Sequence, residues 1–244
     1  MFSLISLIIP CFNEEKNLEK LFENLDNLLQ KFSFIKMEIL IVDNGSTDNS
    51  KKKILNHPLY LLKKIKLIQI KDNIGYGNGV YQGILSSRGD IIAWCHADLQ
   101  INPKDVIEIY LSSKEKLEEQ KCIVKGKRVK RSFFDLLFTF GMSVITYIFF
   151  KIKLSDINAQ PKIFKKNFIE HLKNSPKDFS FDLFFLLKAK LNDYQILEFP
   201  VVWEERYAGE AKGGGSIRLK LKLTLRTIKF MYKLKKSLNG INIT

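Results

Sequence analysis

Short apolar runs alternate with amphipathic stretches along the first hundred residues of the chain. Four of the runs are rich in isoleucine, leucine and valine, which predicts buried strands, whereas the stretch from 14 to about 31 carries its apolar residues at helical spacing. Because strands and helices alternate strictly, the pattern predicts an α/β fold with a Rossmann-like, doubly wound, mostly parallel sheet and helices on both faces. The predicted strands cover residues 4–9, 37–42, 66–70 and 91–95.

The second half of the chain is less regular. Its pattern predicts a strand-like segment at 122–130, an apolar helix at 133–150, a loop and strand at 156–164, a helix near 181–190 and a strand at 195–202. Three glycines at 213–215 then precede a basic tail. We therefore expect a main domain of residues 1–212 and an appended amphipathic segment of residues 213–244.

The apolar stretch at 133–150 contains Asp135, Thr139, Ser143 and Thr146, and its uninterrupted part is shorter than the roughly 20 residues that a membrane span needs. We interpret it as a helix that is buried or lies at a membrane interface, with a true span as the alternative. The same segment could serve as a homodimer interface. The apolar run at 2–9 lacks the basic residues of a secretory signal, so we expect a cytoplasmic protein.

The chain has 244 residues and a formal net charge of +14. This charge predicts a polyanionic neighbour: a nucleic acid, an anionic membrane surface or a phosphate-bearing substrate, although a compositional bias toward surface lysine can account for part of it. Aromatic-basic motifs of the kinds that read RNA are absent, so we expect no nucleic-acid partner. Cys11, Cys95 and Cys122 lack metal-ligand spacing, which favours buried free thiols in a reducing compartment.

The basic tail begins at about residue 216 and combines many lysines and arginines with aliphatic and aromatic residues. Leu221, Leu225, Ile228 and Tyr232 fit one face of a helix, although the alternation over 217–225 also fits a strand. This pattern is typical of a segment that lies on an anionic lipid surface. The alternative is a solvated basic helix that packs on the main domain.

Polar side chains follow the predicted strands at the point where each strand ends. His96, Asp98 and Gln100 follow the fourth strand, and alternate residues of an extended segment project to one side, so the three could converge. Asp43 ends the second strand and Asn13 follows the first. The carboxyl edge of an open α/β sheet is where ligands bind, which makes these residues candidates for a site. A polar exit from strand to loop, without a metal, is the alternative.

Glycines 75, 77 and 79 form a Gly-x-Gly-x-Gly turn. The spacing differs from the dinucleotide-binding fingerprint, and a tight turn into a helix explains it equally well.

A series of motifs follows the predicted elements along the chain: Ile8-Ile9-Pro10-x-Phe12-Asn13-Glu14, Ile41-Val42-Asp43-Asn44-Gly45-Ser46-x-Asp48, Asn73-x-Gly75-x-Gly77, Gly89-Asp90-Ile91-Ile92 and Ala97-Asp98-Leu99-Gln100. Further motifs lie at Gly126-Lys127-Arg128, at Asp156-x-Asn158-Ala159-Gln160-Pro161 and at Glu205-Arg206-x-x-Gly209-Glu210-x-Lys212. In this order the first series resembles the motifs of inverting family 2 glycosyltransferases of the GT-A fold, and within that family those of the dolichyl/polyprenyl-phosphate sugar transferases. The further motifs are looser matches to the same family.

The resemblance implies roles for individual residues. It implies a nucleotide-sugar donor, a lipid-phosphate or glycan acceptor and a divalent metal, Mn²⁺ or Mg²⁺, on the donor diphosphate. The implied nucleotide-binding residues are Pro10, Phe12, Asn13, Glu14, Asp43, Asn73, Gly77, Ala97 and Asp98. The implied metal ligands are Asp98, Gln100 and His96. The implied catalytic residues are Asp98, Asp156, Gln160, Arg128 and Arg206, and Arg128, Arg206 and Lys212 would bind the acceptor or its phosphate.

This sequence departs from the family pattern at His96, because the family usually has Asp-x-Asp where this chain has His96-Ala97-Asp98. An imidazole favours borderline metals such as manganese over magnesium. His96 could instead contact the nucleotide, or the activity could be weakened.

The leading hypothesis from the sequence is therefore an enzyme, peripheral on the cytosolic face of a membrane, that transfers a sugar from a UDP- or GDP-sugar to a polyprenyl phosphate or other membrane-borne acceptor. Transfer to a saccharide in lipopolysaccharide or cell-surface glycan assembly is an alternative. A catalytically weakened nucleotide-binding module is another.

Overall fold

The computed structural model describes residues 3–130, 133–209 and 217–239. Within these residues the strands form one seven-stranded sheet with the order β3-β2-β1-β4-β6-β5-β7. The strands are β1 (Ile5–Cys11), β2 (Met37–Asn44), β3 (Lys66–Ile70), β4 (Ile91–Trp94), β5 (Cys122–Val129), β6 (Lys162–Lys165) and β7 (Gln195–Val202). All neighbouring strands are parallel except β6, which runs antiparallel to β4 and β5. The sheet is thus mostly parallel, as the sequence pattern predicts.

Helices connect the strands and cover both faces of the sheet. They are α1 (Leu18–Lys31), α2 (Ser50–Asn56), α3 (Pro58–Leu61), α4 (Tyr76–Ser86), α5 (Pro103–Glu119), α6 (Phe133–Phe150), α7 (Phe181–Leu191) and α8 (Ile217–Asn239), and a 3₁₀ segment covers Lys166–Leu172. The tail is therefore a helix where the sequence also allowed a strand. The boundary predicted at residue 212 lies outside the described residues and stays a prediction.

Helix α1 begins four residues later than the predicted start at 14. The backbone N–H of Glu14 donates to Ser50 Oγ over 2.9 Å, and that of Glu15 donates to Asp48 Oδ2 over 3.1 Å. These bonds to the loop after β2 hold Glu14 and Glu15 outside the helix. They also join the carboxyl ends of β1 and β2, which form one wall of the site described below.

Strand β1 shows how the two cores arise. Successive side chains of a strand point to opposite faces, so Leu7 and Ile9 pack toward α1 and α5, whereas Ile8 packs toward α4 and α7. Both faces of the sheet are buried, which explains why the strands are continuous apolar runs instead of alternating polar and apolar residues. Cys11, Cys95 and Cys122 are free and buried among these residues, as the sequence predicts.

Trp94, the last residue of β4, anchors the core beneath α7. Its ring lies 4.9 Å from that of Phe185 at nearly a right angle, and Phe164 and Phe181 pack edge-on at 6.0 Å. Edge-to-face packing of this kind adds to the free energy of burial. The indole N–H is the one polar atom of this side chain, and it reaches the site through Tyr76.

Helices α6 and α8 pack on each other, and α8 is anchored on the domain by Met231, which is buried, and by Phe230, whose ring lies 6.4 Å from that of Phe184. Most of the apolar face predicted for the tail points away from the domain: Leu221, Leu225 and Tyr232 are exposed, whereas Ile228 is half-buried. In the part of the chain that the structure describes, no helix combines the length and apolar character that crossing a bilayer requires.

Candidate active site

A cleft of about 690 Å³ opens at the carboxyl ends of β1 and β4. Helices α6 and α8 close it from above, through side chains that include Phe138, Met142 and Thr227. The predicted site residues that line the cleft are Pro10, Phe12, Glu14, Asn73, His96, Ala97, Asp98, Gln100, Arg128 and Arg206. Five other predicted residues, Asn13, Asp43, Gly77, Asp156 and Gln160, are not part of this wall, and Lys212 lies outside the described residues.

Asp98 is an almost fully buried carboxylate of the cleft, with only 1% of its surface exposed. Arg206 Nη2 lies 2.6 Å from Asp98 Oδ2, and the backbone N–H of Gln100 donates to Asp98 Oδ1 over 3.2 Å. The alternation of side chains that a strand imposes does not extend through this segment, because Leu99 adopts a left-handed backbone conformation with φ of 62°. His96, Asp98 and Gln100 therefore converge through a turn, and not through an extended strand as predicted.

Gln100 links Asp98 to Trp203, a residue that the sequence reasoning missed. With the amide oriented so that both of its atoms have partners, Nε2 donates to Asp98 Oδ2 over 3.2 Å and Oε1 accepts from the Trp203 indole over 3.1 Å. The amide oxygen of Gln100 therefore faces an N–H donor and not the cleft. Trp203 follows β7, and only its position at a strand end could have singled it out.

His96 lies between Asp98 and Tyr76. Its Nδ1 is 3.9 Å from Asp98 Oδ2, and its Nε2 is 3.1 Å from the Tyr76 hydroxyl. That hydroxyl also accepts from Trp94 Nε1 over 3.1 Å and from Gln160 Nε2 over 3.2 Å. Burial, followed by the charge of Asp182, raises the pKa of Tyr76 well above its ordinary value, so the hydroxyl keeps its proton.

Behind Tyr76 lies a buried ion pair between Lys162 and Asp182. Asp182, which lines the cleft, also accepts from Gln160 Nε2 over 3.0 Å, and this bond holds Gln160 next to the cleft wall. Burial lowers the pKa of Lys162, and Asp182 opposes that shift. Neither Tyr76 nor Asp182 was predicted, since Tyr76 stands inside the glycine turn and Asp182 inside an apolar helical run.

Arg128 is clamped by Asp156, the residue at the start of the loop before β6. The backbone N–H of Arg128 donates to Asp156 Oδ2 over 2.8 Å, and its guanidinium donates to Oδ1, with Nε at 2.9 Å. The guanidinium also lies over the Trp203 ring at 4.8 Å. Asp156, predicted to be catalytic, is thus committed to holding Arg128 at the cleft.

Asp43 and Asn13 shape the loops at the other end of the cleft. Asp43 Oδ1 accepts from the backbone N–H of Ser46 over 3.0 Å, and Asn13 Oδ1 accepts from that of Thr47 over 2.8 Å. Asn44, which the sequence reasoning did not assign, lines the cleft instead: its Nδ2 donates to Asn73 Oδ1 over 3.3 Å and to the Gly75 carbonyl over 3.1 Å. The Oδ1 atom of Asn44 is buried without a hydrogen-bond partner.

The glycine turn has a packing explanation. Gly75 has a φ of 129°, and a Cβ there would lie 2.3 Å from the Lys177 carbonyl oxygen. A Cβ on Gly77 would lie 2.4 Å from the Pro176 carbonyl oxygen. Both glycines are therefore required for close contact with the segment before α7, which supports the tight-turn interpretation. A role of Gly77 toward a nucleotide stays a prediction.

A divalent metal fits these residues only in part. In the ranges 3–130, 133–209 and 217–239, no three His, Cys, Asp or Glu side chains cluster closely enough to hold a metal ion. Asp98 offers a carboxylate at the cleft, but Arg206 occupies it and the Gln100 oxygen faces Trp203. A cation here would take most of its ligands from a bound diphosphate and water, as Mg²⁺ commonly does with phosphate substrates.

Comparison with solved structures identifies the fold. A glucosyl-3-phosphoglycerate synthase from Mycobacterium tuberculosis, solved with Mn²⁺, uridine diphosphate and phosphoglyceric acid, superposes with a TM-score of 0.69 at 15% identity, covering 96% of this chain and 78% of that one. A mannosyltransferase from Pyrobaculum calidifontis, solved with GDP-mannose and Mn²⁺, gives a TM-score of 0.65 at 17% identity over 93% of this chain and 63% of that one. Both likenesses concern the GT-A fold.

Sequence relatives point to the same family. A dolichol-phosphate mannosyltransferase from Pyrococcus furiosus is 28% identical over 95% of this chain, which spans 64% of that protein's length. A mouse dolichyl-phosphate β-glucosyltransferase is 27% identical over 82% of this chain and 67% of its own. The model of glycosyl transferase family 2 matches residues 6–190. The chain therefore belongs to glycosyltransferase family 2, which confirms the resemblance seen in its motifs.

Proposed function

We propose that this chain transfers a hexose from a nucleotide-sugar to a polyprenyl phosphate at a membrane surface, with inversion of the anomeric centre. The observation that carries the proposal is the cleft itself. Asp98, Arg128 and Arg206 meet at the carboxyl edge of the sheet, under two helices whose outer faces are apolar. The named relatives act on dolichol phosphate, and their printed names motivate the acceptor class.

The donor nucleotide would lie along the ends of β1 and β2. Pro10, Phe12 and Asn73 line this part of the cleft, and the unpartnered Asn44 Oδ1 can accept a hydrogen bond from a base. Asp43 and Asn13 would support the nucleotide by fixing the loops that face it. Since a uridine-bound and a guanosine-bound structure share this fold, we leave both bases as candidates.

Asp98 would hold a divalent metal on the donor diphosphate, with Gln100 and His96 positioning its carboxylate. When bound, such a metal stabilises the negative charge of the leaving nucleotide as a Lewis acid. Arg128 and Arg206 would neutralise the phosphates by charge-assisted hydrogen bonds. These residues act by positioning and by charge, which are the main sources of catalysis when phosphate groups react.

Four carboxylates in or beside the cleft are paired with cations, which favours a phosphate acceptor over a saccharide. Asp98 and Glu14 face Arg206, and Asp182 is paired with Lys162. Asp156 is held by Arg128. A saccharide hydroxyl needs a general base to accept its proton, and each of these four carboxylates has a cationic partner, which leaves Asp135 of α6 as the other carboxylate that lines the cleft. A phosphate monoester is already ionised at neutral pH and needs cations, which Arg128 and Arg206 supply.

Helices α6 and α8 would dock the enzyme on lipid. We call their outward side the α6–α8 face, defined by the exposed apolar residues Leu136, Leu137, Phe140, Val144, Tyr147, Ile148, Leu221, Leu225 and Tyr232. Among the α8 side chains that the structure describes, the exposed basic ones are Lys222, Arg226, Lys229, Lys233, Lys235 and Lys236. Apolar side chains beside lysine and arginine favour the interface of an anionic membrane, here the cytosolic face. The same helices line the cleft, so a lipid phosphate could enter from the membrane side.

Nucleotide binding tests the donor half of the proposal. We expect UDP or GDP to raise the melting temperature of the purified protein, more strongly with Mn²⁺ or Mg²⁺ than without, and either metal alone to have little effect. Ligands that bind only the folded state stabilise it by mass action, and few of the described protein groups can hold a cation without the diphosphate. CDP serves as the comparison. The absence of a shift with every nucleotide and metal would favour a module without transferase activity.

Vesicle binding tests the membrane half. We expect the protein to sediment with vesicles that contain anionic lipid, less with neutral ones and less at high salt. A Leu137→Ser/Phe140→Ser double variant should lose most of this binding. The matched control is Leu61→Ser/Leu62→Ser, which removes two equally exposed leucines that lie beside Lys63 and Lys64 on another surface. Concentration-dependent dimerisation that the first variant abolishes, without vesicle binding, would instead assign the α6–α8 face to a homodimer.

A further inference from the structure

We propose that His96 is a positioning residue that directs its Nδ1–H group toward the Asp98 carboxylate, 3.9 Å away, and that Tyr76 makes this possible by fixing the imidazole tautomer, so that His96 is not a metal ligand. The role toward a metal rests on the proposed function. The tautomer itself follows from the hydrogen bonds of the protein alone. His96 stands at the position where this chain departs from the Asp-x-Asp pattern of the family.

Two N–H groups donate hydrogen bonds to the Tyr76 hydroxyl. Trp94 Nε1 lies 3.1 Å away and can only donate. Gln160 Nε2 lies 3.2 Å away, and the same amide nitrogen donates to the Asp182 carboxylate over 3.0 Å, which fixes the orientation of the amide. The hydroxyl oxygen therefore accepts two hydrogen bonds and has no lone pair left.

The third partner of the hydroxyl is His96 Nε2, at 3.1 Å. With both lone pairs engaged, Tyr76 can offer only its own proton to this nitrogen. His96 Nε2 is then an acceptor, and the proton of the neutral imidazole must be on Nδ1. That nitrogen is the one that faces Asp98 Oδ2, at 3.9 Å.

Asp182 is the competing acceptor for the hydroxyl proton, since both its charge and a side-chain hydrogen bond with Tyr76 raise the pKa of that hydroxyl. If Asp182 took that proton, the Tyr76 oxygen would face N–H groups from Trp94, Gln160 and His96 with only two lone pairs. The arrangement in which Tyr76 donates to His96 leaves no such conflict.

A metal ligand must present an unprotonated nitrogen. For His96 Nδ1 to bind a cation, its proton would have to move to Nε2, which recreates the conflict at Tyr76. The network through Trp94 and Gln160 therefore disfavours ligation. The Nδ1–H group of His96 is then directed toward Asp98, which also contacts the backbone N–H of Gln100 and the guanidinium of Arg206. His96 thereby helps to orient the carboxylate that would hold the metal.

The first test is ¹⁵N NMR of protein labelled at its three histidines, in mildly alkaline buffer and without ligand. We expect His96 to show a protonated Nδ1 and an unprotonated Nε2, with assignment by its loss in His96→Gln. His57 is an internal reference of opposite tautomer, because its Nδ1 accepts from the Leu59 backbone N–H over 3.3 Å. Tyr76→Phe removes only the hydroxyl and should move the proton of His96 to Nε2, with the His57 and His171 signals unchanged as evidence of folding.

The second test measures metal binding directly. With Mn²⁺ and the nucleotide that stabilises the protein, pulsed EPR should show no directly bound ¹⁴N, whereas ligation by His96 would produce that coupling. His96→Ala should lower metal affinity in the presence of nucleotide by about 10- to 100-fold, which is the usual effect of removing a residue that orients a metal ligand. His96→Gln should restore part of this affinity, because its amide can donate to Asp98.

The outcomes separate the two proposals. The positioning role is overturned if NMR of the ligand-free protein shows the His96 proton on Nε2, or if EPR shows nitrogen bound directly to Mn²⁺. Neither result affects the transferase proposal. Failure of all nucleotides and metals to bind, with the Nδ1 proton observed, removes the transferase proposal and leaves the tautomer assignment intact. New NMR contacts from His96 to a bound nucleotide, with loss of the Nδ1 proton, would assign His96 to the nucleotide instead.

Discussion

Replacing Asp98 with asparagine is expected to lower the rate of sugar transfer by roughly 10²- to 10³-fold, the usual cost of removing one preorganised electrostatic group from an active site. The substituted amide would keep the shape of the side chain but lose the charge that holds a cation on the diphosphate. It would also leave Arg206 without its 2.6 Å partner. The measurement is the initial rate of nucleotide release from the donor that the binding screen identifies, in the presence of a polyprenyl phosphate.

Asp105→Asn is the matched control for Asp98→Asn. Asp105 is a nearby carboxylate in the first turn of α5, it does not line the cleft, and burial raises its pKa. We expect this variant to transfer sugar at nearly the native rate. An Asp98→Asn enzyme that is as active and as metal-dependent as the native one would show that Asp98 is not the metal-bearing residue.

Replacing Arg128 with alanine is expected to reduce kcat/KM for the acceptor phosphate by roughly 10²-fold or more, because charge-assisted pairs between arginine and phosphate are among the strongest in proteins. Arg128→Lys should recover little of it, since an ammonium cannot bond to Asp156 and lie flat on Trp203 as the guanidinium does. Steady-state kinetics with varied acceptor measure the effect.

Two further variants locate the origin of the Arg128 effect. Lys127→Ala removes the adjacent cation, which is exposed and paired with Glu198, and should have little influence on kcat/KM. Asp156→Asn keeps Arg128 but weakens its clamp, so a smaller loss is expected than for Arg128→Ala. If Asp156→Asn instead abolished transfer while Arg128→Ala did not, Asp156 would be the catalytic group and the acceptor would require a base.

The fold was largely predictable because its main signals are local. Runs such as those of β1 and β2 are apolar on both faces, and this pattern is set by residues next to each other in sequence. The start of α1 was missed for the opposite reason. Glu14 and Glu15 are held by Ser50 and Asp48, partners more than 30 positions away that no local pattern reveals.

The site was predictable where it consists of strand ends. Asp98, Gln100 and Phe12 follow strands and do line the cleft. The parts that were missed come from distant segments: Tyr76 meets Gln160 across 84 positions, and Gln100 meets Trp203 only through the packing of β7's end against the turn after β4. A sequence motif shows that an aspartate is present at position 156. It does not show that Asp156 pairs with Arg128, because that contact forms only in the folded protein.

The ion pair between Arg206 and Asp98 has a thermodynamic consequence. A guanidinium and a divalent cation compete for one carboxylate, so the resting cleft is already charge-neutral at this point. The apparent affinity for a cation would be scaled by the fraction of molecules in which the pair is open. On the proposed function, a nucleotide diphosphate would relieve this competition, because it would offer Arg206 an alternative anion while it brings ligands for the metal. Donor and metal binding would then be positively cooperative, and without donor the ion pair would disfavour the binding of divalent cations at Asp98.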